Sequence, residues 1–163
     1  ETLPLLRSIA QSSLPKVLDA DGLNLLAADG SLSFGANTVL TPHPKEFSRL
    51  SGCSMEDILS SPLDTAGAFA KQHDVILLLK GATTVVSDGT QACLVTAGAP
   101  SMAKGGSGDV LTGVIGALLA QGFSPFMAAY GGAYLCGKAG ETAAARKGDY
   151  APTAEDTAYF LGR

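Results

Sequence analysis

The residues best suited to chemistry are Gly105-Gly106-Ser107-Gly108-Asp109, followed by Val110-Leu111-Thr112-Gly113-Val114-Ile115. Apolar residues at 110, 111, 114, 115, 118 and 119 recur at helical spacing, so the glycines stand just ahead of a helix. Without side chains in the way, the loop's backbone N–H groups can converge. The helix N-terminus adds partial positive charge, and together they make an anion hole. Asp109 falls in the first turn. A carboxylate there could take a proton from a hydroxyl while the hole holds a transferring phosphoryl group. The plainer alternative is a glycine turn with Asp109 as the helix cap. The pattern is neither a Walker A loop nor a dinucleotide fingerprint.

Three other segments place polar groups beside apolar runs: Asp19-Ala20-Asp21-Gly22-Leu23-Asn24, Thr41-Pro42-His43-Pro44-Lys45-Glu46 and Lys80-Gly81-Ala82-Thr83-Thr84. Each has an ordinary structural reading. Asp19, Asp21 and Asn24 suit turns and caps. His43 between two prolines suits a loop, and Glu46 a first helical turn. Lys80 suits a solvated strand end, with Thr83 and Thr84 as strand residues.

The elements that must position these groups alternate. Lys16-Val17-Leu18 and Thr38-Val39-Leu40 read as short strands, with a short helix over 24–28 between them. Prolines 42 and 44 end the second strand and let a helix begin near Pro44. Helical stretches follow over 46–50, 55–59 and 63–73, the last with Ala66, Phe69 and Ala70 on one face. Val75 to Leu79 is a continuous apolar run, as in a parallel strand covered on both faces. Residues 83–86 and 91–95 form a hairpin about Asp88-Gly89. Helices over 108–121, 125–145 and 154–161, the last capped by Thr153, close the chain. The expected fold class is therefore α/β: three layers, a mostly parallel sheet and an antiparallel hairpin, in a single domain over 1–163.

Composition narrows the partners. Of the 163 residues, 46% are hydrophobic and the net charge is −4, which argues against nucleic acid or an anionic membrane surface. Phosphate stays open as a ligand, because backbone N–H groups can hold it. Cys53, Cys93 and Cys136 are odd in number and lack metal-site spacing, which fits free thiols in a reducing cytoplasm. Glu1-Thr2-Leu3-Pro4 shows no basic patch ahead of an apolar stretch, so no signal peptide is expected. The run from Val110 to Gly137 carries no charge, but Gln121-Gly122-Phe123-Ser124-Pro125 interrupts it. Two buried helices are expected there rather than a membrane span.

Met102-Ala103-Lys104-Gly105-Gly106-Ser107-Gly108-Asp109-Val110-Leu111-Thr112-Gly113 resembles the signature of the ADP- or ATP-dependent NAD(P)H-hydrate dehydratases, which are ribokinase-like enzymes. The segments at 19–24, 41–46, 80–84 and 117–122 resemble their other motifs, so the likeness covers nearly the whole chain. It implies a ribokinase-like fold without its N-terminal part, whose absence would leave a strand edge unpaired. It also implies a reaction in which phosphate passes from ADP or ATP to the ring hydroxyl of hydrated NADH or NADPH and is then eliminated. By the same resemblance Asp109 is the base, and Gly106, Ser107 and Gly108 hold the phosphate. His43 and Asp109 would contact the hydrated dinucleotide, and Lys80, Gly81, Ala82, Thr83, Thr84 and Gly108 the nucleotide. Glu46 would hold Mg2+ through water, as a glutamate does in related vitamin kinases, and the protein would be a homo-oligomer, a tetramer. Two departures stand out: Gly98-Ala99-Pro100-Ser101 replaces a common Gly-Asn-Pro-Gly, and Lys104 replaces a common threonine. The same hole and aspartate would serve a vitamin or sugar kinase, or a nucleotide-binding remnant without turnover. His43, where the kinase motif has asparagine, favours the dehydratase.

Overall fold

A computed structural model describes residues 2–30, 33–35 and 37–162; Glu1, which opens the stretch read for a leader, lies outside them. The apolar runs become strands β1 (Lys16–Leu18), β2 (Thr38–Leu40), β3 (Ile76–Leu79), β4 (Thr84–Ser87) and β5 (Ala92–Val95), hydrogen-bonded in the order β1-β2-β3-β4-β5. β1 pairs parallel with β2, and β2 with β3, with Val17 opposite Val39 and Leu40 opposite Leu77. β4 runs antiparallel to both β3 and β5. Four of the five strands therefore point one way, as expected of a mostly parallel sheet carrying a hairpin. Among the described residues β1 has a strand partner on one side only.

Alternation along the strands splits the core in two. Leu40, Leu77, Leu79 and Val85 face a layer made by α1 (Thr2–Gln11), α2 (Ala20–Asp29), α3 (Pro44–Ser51), α4 (Met55–Ser60) and α5 (Pro62–His73). Val39, Leu78, Val86 and Val95 face α6 (Ser107–Ala120) and α7 (Pro125–Lys147), over which α8 (Ala154–Tyr159) packs. The expected apolar face of α6 is the one buried: Leu111, Ile115 and Leu119 are inside, with Val110, Val114 and Leu118 half-buried beside them. The uncharged run after Val110 breaks as expected. Gly122 adopts φ +86°, and the Ser124 hydroxyl caps α7 by accepting from the Met127 N–H. No helix among the described residues is long and apolar enough to cross a membrane.

Two expectations need correction. α2 spans Ala20–Asp29 rather than 24–28. Its early start is hidden because Ala20 takes a positive φ of 48° and the first apolar anchor, Leu23, comes only at its fourth residue. α1 was not expected at all. Pro4 reads as a breaker, but it sits in the first turn, where its missing N–H has no intrahelical partner to lose. α1 is held to α2 by Arg7, whose guanidinium donates to both carboxylate oxygens of Asp29.

Candidate active site

Because β1, β2 and β3 are parallel, their C-terminal ends share one rim, and the residues that follow them meet there. Those residues are Asp19, Thr41 to Glu46, and Lys80-Gly81. Backbone bonds fix the rim: the Thr41 N–H donates to Leu18 O at 3.2 Å, and the Lys80 N–H to Pro42 O at 2.9 Å.

His43 caps α3. Its Nδ1 accepts from the N–H groups of Lys45 and Glu46, at 3.1 and 3.3 Å. Glu46 Oε2 accepts in return from the His43 N–H at 2.8 Å, and Glu46 Oε1 lies 3.4 Å from His43 Nε2. An Nδ1 that accepts leaves the ring proton on Nε2, where it faces Glu46. His43 is thus a loop residue that caps α3, and Glu46 is buried with Oε2 hydrogen-bonded to the cap.

Lys80 joins the segments. Its Nζ donates to Asp19 Oδ1 at 3.0 Å and stands 3.9 Å from Glu46 Oε2. The other oxygen of Asp19 accepts from Thr112 Oγ1 at 3.4 Å, on the second turn of α6. A Cβ placed on Gly108 would lie 3.1 Å from Asp19 Oδ2 and 3.7 Å from Lys80 Nζ. The N-terminus of α6 is therefore brought to the same rim as His43, Glu46 and Lys80.

Gly106 is the N-cap of α6 with φ +87°, a left-handed turn natural to glycine, and no side chain caps the helix. Asp109 is the third residue of the helix. It is exposed and makes no hydrogen bond or ion pair among the described residues, so the reading of Asp109 as the cap is set aside. The Ser107 hydroxyl is buried without a partner, an acceptor or donor left over at the mouth of the loop. Lys80, Gly81, Ala82 and Thr83 line a cleft of about 220 Å³ against Pro44 and Leu59, and Thr84 opens β4 behind it. A larger cleft of about 320 Å³, between β5 and α7, is walled by Tyr130, Tyr134, Lys138 and Glu141 and by none of these groups.

The arrangement can hold a phosphate on the backbone N–H groups of α6 and on Lys80, with an exposed carboxylate beside it. A metal fits less directly. No cluster of three or more His, Cys, Asp or Glu among the described residues could hold one. Of these residues, Glu46 could meet a metal ion only through water. Sequence reasoning missed Asp19 and Thr112. The signal for Asp19 was its place directly after a buried strand on the ligand-bearing rim.

The family model described as NAD(P)H-hydrate dehydratase matches residues 1–158. The bifunctional NAD(P)H-hydrate repair enzyme Nnr of Moorella thermoacetica is 46% identical over 152 residues, which is 91% of this chain and 28% of that protein. The chain thus spans under a third of the length of such curated relatives. The ADP/ATP-dependent NAD(P)H-hydrate dehydratase of Bacillus subtilis, crystallised with ATP and Mg2+, superposes with a TM-score of 0.82 at 27% identity, over 96% of this chain and 56% of that one. A ribokinase-like superfamily protein of Enterococcus faecalis gives 0.81 at 26% identity, over 98% and 56%. With a ribokinase-like sheet and the family's motifs gathered on one rim, the chain belongs to the NAD(P)H-hydrate dehydratase family.

Proposed function

We propose that the protein carries out the nucleotide-driven dehydration of hydrated NADH or NADPH, returning it to NAD(P)H with ADP or ATP as phosphoryl donor. The observation that carries this reading is the convergence of Lys80, His43 and the Gly108 turn of α6 on one rim. In this reading Asp109 takes the proton of the ring hydroxyl as its oxygen attacks the terminal phosphorus. The bridging P–O bond of the donor breaks. The N–H groups around Gly106, Ser107 and Gly108 hold the transferring group, and the Ser107 hydroxyl supplies one more donor. The ring C–O bond then breaks with the phosphate as leaving group, and loss of a proton from the neighbouring carbon restores the double bond.

Lys80 neutralises donor phosphates, and Gly81, Ala82, Thr83 and Thr84 form the nucleotide's wall. His43 and Asp109 face the hydrated ring. Mg2+, when bound with the nucleotide, supplies charge neutralisation, and Glu46 would hold it through water. The 163 residues act as one domain, in the cytoplasm, within a homo-oligomer of tetramer form, and the partners are small nucleotides rather than nucleic acid or membrane.

The test is Asp109→Asn in the intact gene product. Loss of a general base lowers turnover by ~10²–10⁴, or ~3–5 kcal/mol at about 1.36 kcal/mol per decade. ADP affinity should hold or rise, because a negative charge beside the phosphates is removed. Stability should not change, since the side chain bonds nothing among the described residues. Reduced-nicotinamide absorbance reports turnover. Near-normal turnover of hydrated NADH would remove Asp109 from the mechanism.

A further inference from the structure

Asp19 occupies the N-cap position of α2, yet its side chain makes no capping bond. Both oxygens are turned the other way: Oδ1 accepts from Lys80 Nζ at 3.0 Å and Oδ2 from Thr112 Oγ1 at 3.4 Å. Its side chain is only 12% exposed, so these bonds are shielded from water. The carboxylate stands against the first turn of α6, where the absence of a side chain on Gly108 leaves room for it, 3.1 Å from where a Cβ would be. Gly108 has no positive φ to require glycine, so this close approach is its structural reason.

Lys80 has two carboxylates to choose from. Asp19 is nearer and is tied to α6 through Thr112. Glu46, at 3.9 Å, belongs to the cap of α3. With Asp19 in place the ammonium is held near Gly108. Without it Lys80 has only Glu46 among the described carboxylates and must shift toward α3, away from the phosphate-holding turn. We propose that Asp19 is a positioning residue, which holds the Lys80 ammonium over the N-terminus of α6 through the relay Lys80–Asp19–Thr112. This rests on the nucleotide role given to Lys80 above.

A positioning role has its own kinetic signature. Asp19→Ala misplaces Lys80 while adding a unit of positive charge to the site. The lost contact and the added charge act oppositely on nucleotide binding, which should change by less than about threefold, while kcat falls by about tenfold to hundredfold, the worth of a hydrogen bond to a charged group. In a Lys80→Ala background the same change should cost no more than about twofold further, because Asp19 acts through Lys80. Asp19→Asn, whose amide oxygen still accepts from Lys80, should regain most of the rate. Thr112→Val keeps the shape of α6 and should cost about threefold in kcat alone, which serves if the alanine variant folds poorly.

Losses that add in the double variant, a raised KM for ADP with kcat intact, or an asparagine variant as slow as alanine would each overturn the proposal. Should hydrated NADH and ADP give no turnover with the wild-type protein, the dehydratase reading falls by itself. The positioning claim is then decided by the crystal structure of the Asp19→Ala protein. Lys80 Nζ displaced toward Glu46 supports it, and Lys80 Nζ unmoved beside Gly108 overturns it.

Discussion

Gly137→Ala perturbs the glycine loop from a distance. Gly137 lies inside α7, where alanine is intrinsically preferred by about 1 kcal/mol. It is kept clear of a side chain by space alone. A Cβ there would lie 2.4 Å from the carbonyl oxygen of Ala97 and 2.6 Å from its carbon, both of them backbone. Ala97 belongs to the strap that leads from β5 through the short 3-10 turn Pro100–Met102 to Gly105. One face of α7 clasps that strap: Gly137 against Ala97, Gly140 against Met102, and Glu141 Oε1 accepting from the Gly98 N–H at 3.0 Å. Relieving the clash moves the strap by about 1 Å, at a cost of roughly 1–3 kcal/mol for overpacking. The helix preference offsets about 1 kcal/mol of this, leaving about 0–2 kcal/mol, or a fall in Tm of at most ~8 °C for a chain of this size. The rate should suffer far more, since a displacement of ~1 Å in a positioned group can cost ~10²-fold. Thermal unfolding and the hydrated-NADH assay, run on the same preparation, read the two quantities. Gly113→Ala is the control, since a Cβ there meets nothing within 4 Å. A stable Gly137→Ala protein with wild-type turnover would refute the claim that the strap sets the loop.

Two further outcomes follow from other parts of the chain. Burial would raise the Asp88 carboxyl, but bonds from the side chains and N–H groups of Gln91 and Thr90 outweigh it and hold the group well below the usual carboxylate range. Its stabilisation is therefore full above pH ~4 and lost as pH falls below that toward the depressed value; urea unfolding from pH 6 to pH 2 should show a shallower acid loss for Asp88→Asn, and equal slopes would contradict it. Burial pushes the Cys136 thiol up to about 11, which leaves about one thiolate in a thousand at pH 8. Mass spectrometry after alkylation of the native protein should find Cys53 and Cys93, both half-buried, modified and Cys136 spared. Modification of Cys136 at a matching rate would show that the α7 interface opens freely.

What was legible in the sequence is what short-range patterns decide. The run Val75 to Leu79 gave β3, the spacing of Ala66, Phe69 and Ala70 gave the buried face of α5, and Asp88-Gly89 gave the hairpin turn. The glycines before Val110 gave the start of α6 to within a residue. The rest depended on partners far along the chain. Asp19 looked like a turn or cap residue, as aspartates between a strand and a helix often are. Its true partners lie 61 and 93 residues away, and no local pattern carries them. Glu46 was left between a first-turn glutamate and a metal contact. The structure gives it a capping box with His43 through Oε2, with Oε1 lying 3.4 Å from His43 Nε2, so the first-turn role is the one seen. α1 has apolar residues at helical spacing, Leu3, Leu6 and Ala10, but Pro4 read as a breaker and hid that signal.

The charge at the rim bears on how an acidic protein can hold a polyphosphate. Asp19 and Glu46 together carry two negative charges, and Lys80 offsets one, so this group of side chains is left with one net negative charge. Asp109, exposed on the first turn of α6, adds another. With Lys45 on the same rim counted too, side-chain charge there is left slightly negative and does not draw in the nucleotide of the proposed reaction. Attraction must come from elsewhere. The N-terminus of α6 offers about half a positive charge and the unpaired N–H groups of its first turn. In the proposed reaction a divalent ion entering on the phosphates would add to this attraction without a protein cage to hold it. The same balance gives the proposed hold of Asp19 on Lys80 its purpose. With so little positive charge at the rim, an ammonium drawn aside to Glu46 would leave the turn of α6 to hold the transferring group alone.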